Sequence, residues 1–204
     1  MKPLGKIIFS LLLYLVLTLH INCNKDTSPH TTVNGTVLEF GTNKPIAGAT
    51  VFLERAAKDA FLSQAYSTYQ TFTSDANGKY TFTFDYEEAY KYQVTSTNAS
   101  YYPSEHYTVH LGENSINIIQ YPPGYLKLHI KNLSGSEQIG INAHWYGGPQ
   151  QFYGMNVDTI LIGSVNGNTS VSIYWNSIKN GITSDSSAIL YCPGFDTVTY
   201  NINY

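Results

Sequence analysis

At 204 residues with 43% hydrophobic content, the chain is long enough for one large domain or two of about 100 residues each, and two fits better. Only 12% of residues are charged, while tyrosine alone numbers 18 and Thr, Ser and Asn are abundant, a balance that favours half-buried strands over Glu/Lys/Ala-rich helices. The formal charge is −3 and no basic run follows Cys23, so the clustered Lys and Arg that release counterions from phosphates are missing, and nucleic acid and anionic lipid headgroups are poor partners.

In chain order, residues 1–22 read as a signal peptide: a basic start at Lys2 and Lys6, an apolar core from Ile7 to Leu19, then a polar exit at His20 and Asn22 before Cys23. The core falls short of the roughly 20 residues that cross a bilayer as a permanent helix, which is the competing reading. Leu19-His20-Ile21-Asn22-Cys23-Asn24-Lys25-Asp26 resembles the cleavage region of bacterial lipoprotein signals, with Leu19 one place early and Asn22 where a small residue is usual. The Asn-Lys-Asp after the cysteine resembles the short charged stretch of surface lipoproteins in some Gram-negative groups. The resemblance implies a lipid on Cys23, attachment to the membrane through it, and a surface-exposed outer-membrane location. Only one other cysteine exists, Cys192; with Cys23 lipidated it has no partner and reads as a buried apolar residue, the alternative being a Cys23–Cys192 bridge.

Residues 23–31 are short, polar and Pro-containing, the composition of a flexible tether. From Thr32 alternation sets in: Val33 to Leu38, Ala49/Val51/Leu53, Tyr80/Phe82/Phe84, Tyr90/Tyr92/Val94 and Tyr107/Val109/Leu111 each place apolar side chains on one face. Ser74-Asp75-Ala76-Asn77-Gly78-Lys79 predicts a hairpin, because Asn-Gly supplies the positive φ angles of a tight two-residue turn. Glu54 to Ala65 has good helix formers and no alternation, which suits a short helix or a connecting loop.

Four pieces in order resemble the carboxypeptidase regulatory-like domain, a small transthyretin-like β-sandwich. They are Val33-Asn34-Gly35-Thr36-Val37, Lys44-Pro45-Ile46-Ala47-Gly48-Ala49-Thr50-Val51, the segment from Ser74 to Phe82, and Tyr90-Lys91-Tyr92-Gln93-Val94. The resemblance covers residues 32–120 and implies a sandwich without peptidase activity. Tyr121-Pro122-Pro123-Gly124 is a natural boundary. Beyond it, residues 121–204 alternate at Leu126/Leu128/Ile130, Ile139/Ile141/Ala143/Trp145, Val171/Ile173/Trp175 and Val198/Tyr200/Ile202/Tyr204, with Asp158–Val165 and Ser187–Tyr191 as two further strands. The fold class is therefore all-β: two consecutive β-sandwich domains, the first carboxypeptidase regulatory-like, the second of immunoglobulin-like size and six strands. The two halves do not read as copies of one repeat.

The chemistry-bearing residues are scattered. His106 and His110 lie four apart, which on a strand separates them by about 13 Å, too far to share a metal. His129 and His144 read as solvated strand residues, and no metal or cofactor is expected. Asp85, Glu87 and Glu88 cluster between strands and suit a charged loop better than a glycosidase pair; Asp75 and Asn77 fall short of a calcium shell. No Gly-x-Ser-x-Gly, P-loop or His-Glu-x-x-His occurs. In His144 to Asn156, glycines and amides interleave with aromatics, and Tyr146, Phe152 and Tyr153 are the candidate ligand-binding residues for a glycan or peptide, against the reading that they pack over the sandwich edge. Asn34, Asn98, Asn132 and Asn168 open Asn-x-Ser/Thr sequons that read as chance behind a bacterial signal. The expected function is a non-enzymatic envelope lipoprotein displaying β-sandwich modules; the alternatives are a structural partner of a larger envelope complex, or a glycan or peptide hydrolase.

Overall fold

The computed structural model describes residues 29–59, 65–143 and 148–204. Cys23, Trp145 and Tyr146 lie outside the described residues, as do the signal and most of the tether. The chain is all-β. Its first eight strands are β1 (His30–Glu39), β2 (Thr50–Ala57), β3 (Ser67–Thr73), β4 (Lys79–Asp85), β5 (Tyr90–Thr97), β6 (Tyr107–Val109), β7 (Glu113–Ser115) and β8 (Ile118–Gln120). The strand β1 starts at His30, so the last two residues assigned to the tether are paired backbone: His30 lies opposite Asp85 and Thr31 opposite Phe84.

The eight strands form two sheets. In one, β1 is flanked by β4 antiparallel and by β7 and then β8 in parallel; in the other the order is β3-β2-β5-β6. Period-two patterning drives the packing: along β4, Tyr80, Phe82 and Phe84 are buried while Lys79, Thr81, Thr83 and Asp85 are exposed. They meet Val33, Leu53, Tyr92 and Val94 in an aromatic-rich core. Leu111 does not join it. The strand β6 ends at Val109, and Leu111 is 49% exposed.

The Asn-Gly turn is formed, but it does not make a hairpin. The strand β3 pairs only with β2 and β4 pairs with β1, so the turn carries the chain from one sheet to the other. The Asp75 carboxylate accepts from the amides of Asn77 and Lys79, both at 2.8 Å. Gly78 has φ +71° and Asn77 is not in the positive region, so the two successive positive φ angles of a tight hairpin are missing. The reason lies in the core. Phe72 of β3 and Phe82 of β4 stack across the sandwich at 4.0 Å with planes 2° apart, which requires the two strands to face each other rather than lie side by side. Buried Ser74 secures the arch, donating to the Ile46 carbonyl and accepting from the Ala49 amide.

Glu54–Ala65 is no helix as far as it is described: Glu54 to Ala57 continue β2 and a turn follows. Arg55 explains why this stretch lacks alternation. Its guanidinium lies 4.2 Å from the Tyr69 ring centroid and 4.3 Å from that of Tyr90, and it is bonded to Glu87 at 2.9 Å, so a charged side chain is held between aromatic rings.

The remaining strands are β9 (Pro123–Lys131), β10 (Gln138–Asn142), β11 (Gln150–Tyr153), β12 (Asp158–Asn166), β13 (Thr169–Lys179), β14 (Ile182–Cys192) and β15 (Thr197–Asn203). That is one strand more than the sequence predicts, the addition being β11. They form a three-stranded sheet, β12-β9-β15, and a four-stranded one, β11-β10-β13-β14, around an aliphatic core that includes Leu126, Leu128, Ile139 and Ile173. Contrary to the sequence reading, the halves repeat one topology. In each, the first strand is flanked by the fourth antiparallel and the last in parallel, and the second strand sits between the third and fifth, with the sixth outside.

The two sandwiches are joined through Asn168, at the turn between β12 and β13. Its side chain donates to the Phe40 carbonyl at 2.9 Å and to Glu39 at 3.3 Å, and accepts from the Gly194 amide at 2.8 Å. Glu39, only 7% exposed, also accepts from Thr42 (2.7 Å) and Tyr101 (2.8 Å). Tyr101 in turn meets Phe195 edge-on at 5.2 Å.

Candidate functional site

The aromatic segment that the sequence singles out is partly a strand rather than a loop. Gln150 to Tyr153 form β11, at one edge of the second four-stranded sheet, with Phe152 opposite Ile139 and Tyr153 opposite Gln138. Alternation therefore separates the two candidate residues. Phe152 packs on the second core, whereas Tyr153 is 69% exposed on the outer face, its hydroxyl donating to Gln151 at 2.8 Å. The structure brings Tyr153 and Gln151 onto one surface and leaves Phe152 beneath it.

That outer face holds residues that sequence reasoning passed over. Because β10, β11, β13 and β14 lie in continuous antiparallel register, Gln151, Gly140, Asn176 and Asp185 fall in a single row across all four strands. Two residues along, Asn142, Tyr174 and Ser187 make the next row. Between the rows runs an open groove of about 390 Å³, with Pro149 and Gln150 also in its lining. Tyr174, 50% exposed, forms part of its wall.

Gly140 is a spacing device rather than a turn residue. A Cβ there would come within 2.4 Å of Asn176 Oδ1, so the Asn176 amide occupies the volume that a side chain on β10 would fill. The signal for this face was present in the alternation of Val171, Ile173 and Trp175, which puts Tyr174 and Asn176 outward. What joins them to Gly140 and Asp185 is strand pairing, which one strand's pattern does not carry.

The other singled-out side chains are placed apart from the groove. Asp85 bonds His30 at 2.8 Å and Glu87 bonds Arg55. His129 is 2.6 Å from Asp158, which also meets Lys131 at 3.1 Å; the hydrogen bond from His129, then that from Lys131, holds the Asp158 carboxyl below its usual range. His106 approaches Glu54 at 3.6 Å. Among the described residues, no three His, Cys, Asp or Glu side chains converge on a metal-sized site. Cys192 is fully buried in the second core, where burial pushes its thiol up and away from the reactive thiolate. Three sequon asparagines spend their side chains on structure: Asn98 and Asn132 cap local turns, and Asn168 makes the joint.

Comparison with known proteins divides the chain. Residues 32–120 match the family model of the carboxypeptidase regulatory-like domain, and this stretch is a domain of that kind. No curated protein matches the chain. Among solved structures, the shaft pilin SpaA from Lactobacillus rhamnosus GG is 11% identical with a TM-score of 0.37, the match covering 85% of this chain and 96% of that one. GBS52, the minor pilin of Streptococcus agalactiae, is 14% identical with a TM-score of 0.37, over 85% of this chain and 94% of that one. The Bacillus anthracis TIE protein is 9% identical with a TM-score of 0.35, over 85% of this chain and 34% of that one.

Proposed function

From a chain whose residues 32–120 are a carboxypeptidase regulatory-like domain, we propose a non-enzymatic cell-envelope lipoprotein, anchored through Cys23 at the outer membrane. The first sandwich acts as a spacer, and the second presents the outer face of its four-stranded sheet to a glycan or peptide. The observation that carries this reading is the groove beside the row Gln151, Gly140, Asn176 and Asp185. Its volume lies at the low end of the roughly 300–1,000 Å³ of ligand sites, and it combines an aromatic wall with several hydrogen-bonding side chains. The non-enzymatic part is supported by the carboxylates noted in the sequence, since Asp85 and Glu87 are committed to His30 and Arg55.

The anchor is tested by metabolic labelling with a palmitate analogue. Label on the wild type and none on Cys23→Ala is expected; persistence in the variant would end the lipid assignment. A second reading, a structural partner in an envelope complex, is favoured by Ile160 and Ile162, which are 51% and 66% exposed on the outer face of the three-stranded sheet. Co-purification of a stoichiometric protein lost in Ile160→Ser/Ile162→Ser would support it.

A further inference from the structure

We infer that the groove on the second sandwich takes an uncharged glycan rather than a peptide or an anionic polymer. This rests on the groove reading proposed above and narrows it to one ligand class. Three observations carry it: where the groove lies on the sheet, which charges line it, and how its planar groups are spaced.

The groove lies on the face of β10 and β13, the two inner strands of their sheet. One recurring way to recognise an extended peptide is to add its backbone to a sheet edge, where unpaired N–H and C=O groups wait. Here those groups are already committed to the ladders joining β10 to β11 and β13, and β13 to β14. What the face offers is side chains alone, which suits a ligand that bonds through its own substituents.

Charge then excludes anions. The charged residue among the described lining is Asp185, and no lysine or arginine stands with it. A uronic acid, sulfate or phosphate entering here would meet a carboxylate without a cation to offset it. Uncharged hydroxyls, by contrast, pair well with planar amides and carboxylates, each of which engages two partners at once.

Spacing completes the fit. Gln151, Asn176 and Asp185 sit in one row on strands that step by about 4.8 Å, with the Asn176 amide lying over Gly140. Such a row spans about 14 Å from β11 to β14, the reach of two to three linked sugar rings. Tyr174 lines the same groove one row away, adding an aromatic side chain to the amides and the carboxylate. The ligand runs across the strands, not along them.

The test is calorimetric titration of the full chain, purified in a detergent without a sugar headgroup. The neutral probes are laminarihexaose, mannohexaose and xylohexaose; hexagalacturonate is the anionic probe and a casein hydrolysate the peptide probe. At least one neutral hexasaccharide is expected to bind. Asn176→Ala and Asp185→Asn should each weaken it about tenfold, the scale of one lost hydrogen bond at a desolvated site. Tyr174→Ala should weaken it at least as much, whereas Ile160→Ser, on the other sheet, should leave it unchanged. Unaltered thermal melting of the variants separates loss of binding from loss of fold. Preference for hexagalacturonate or the hydrolysate, sensitive to the same variants, would overturn the glycan class while leaving the groove reading standing. No binding of any probe, or binding that none of the three groove variants weakens, would overturn both.

Discussion

The two sandwiches share a strand order and differ in nearly everything laid upon it. The first is filled with rings: Tyr80, Phe82, Phe84 and Tyr92 sit in its core, with Phe72 stacked against Phe82. The second is filled with branched aliphatics such as Leu126, Leu128, Ile139 and Ile173. The same seven-position plan therefore tolerates two chemistries of core, as long as alternation and total volume are kept. Strand length marks the other contrast. The sixth strand of the first sandwich has three residues, whereas its counterpart β14 has eleven, paired along its whole length with β13. That long hairpin widens the second four-stranded sheet and leaves its outer face open. The corresponding face of the first sheet is filled by Phe52 and by a Gln93–Glu54 hydrogen bond at 2.7 Å.

The sharpest way to break the comparison is to empty each core in turn. Phe82→Ala is expected to cost about 3–5 kcal/mol and Leu128→Ala about 2–5 kcal/mol, from lost transfer energy plus the cavity left behind. Differential scanning calorimetry should show one transition lowered in each variant and the other retained. A single transition that moves in both would mean that the joint welds the sandwiches into one cooperative unit.

The joint itself is the next largest effect. Glu39→Ala strips a shared acceptor from Thr42, Tyr101 and Asn168, each a part-buried donor. With a cost of about 1–3 kcal/mol per donor left without a partner, partly recovered by water, a loss of about 2–4 kcal/mol is expected. Glu39→Gln, which keeps one acceptor oxygen, should lose less. Small-angle scattering of Glu39→Ala should show a slightly larger radius of gyration, because the joint keeps the Asn168–Phe40 bond and the Tyr101–Phe195 contact but loses its shared acceptor.

Strand alternation made most of this fold legible. The faces of β1, β4, β9 and β15 follow directly from the sequence, because a half-buried strand writes its burial every second residue. Three strands escaped for the opposite reason. Glu113–Ser115 and Ile118–Gln120 are only three residues long, too short to show a period, and Gln150–Tyr153 is enclosed in a Gly- and Pro-rich stretch. The arch at Asn77-Gly78 was misread because a turn signal is local, while the choice of sheet was made by Phe72 meeting Phe82. The repeat was hidden because topology is a matter of pairing, and an aromatic core and an aliphatic core leave no shared residues to align. Asn168 shows the same limit at one residue: as sequence it opens a sequon, and in three dimensions it is the pin of the joint.

Alkaline pH probes the joint more gently. Burial pushes the Tyr101 hydroxyl up to about 12, helped by the hydrogen bond to Glu39 and the repulsion a phenolate would feel beside that carboxylate. A folded-state value above the unfolded value of about 10 means that the protonated group favours folding. That contribution is whole below pH 10 and is lost as pH rises from about 10 to 12. The urea midpoint should fall across this window, and the fall should be shallower in Tyr101→Phe. Tyr80, raised by burial and by its neighbour Tyr107, keeps part of the slope in that variant.

The smallest change in stability should separate the two faces most cleanly. Gly140→Ala places a methyl where the Asn176 amide now lies, 2.4 Å from its Oδ1, and that atom is the far end of a flexible side chain that can swing away. Glycine in a strand interior costs roughly 0.5–1 kcal/mol relative to alanine, so the variant should melt within a kilocalorie of wild type, with a small gain allowed. The groove, however, loses the position of Asn176, and glycan affinity should drop about tenfold. An equivalent small-to-methyl change has no target on the first sandwich, where Phe52 already fills that face. Binding lost without stability lost would therefore assign the glycine to the ligand rather than to the sheet, and locate the difference between two otherwise matching folds in one missing side chain.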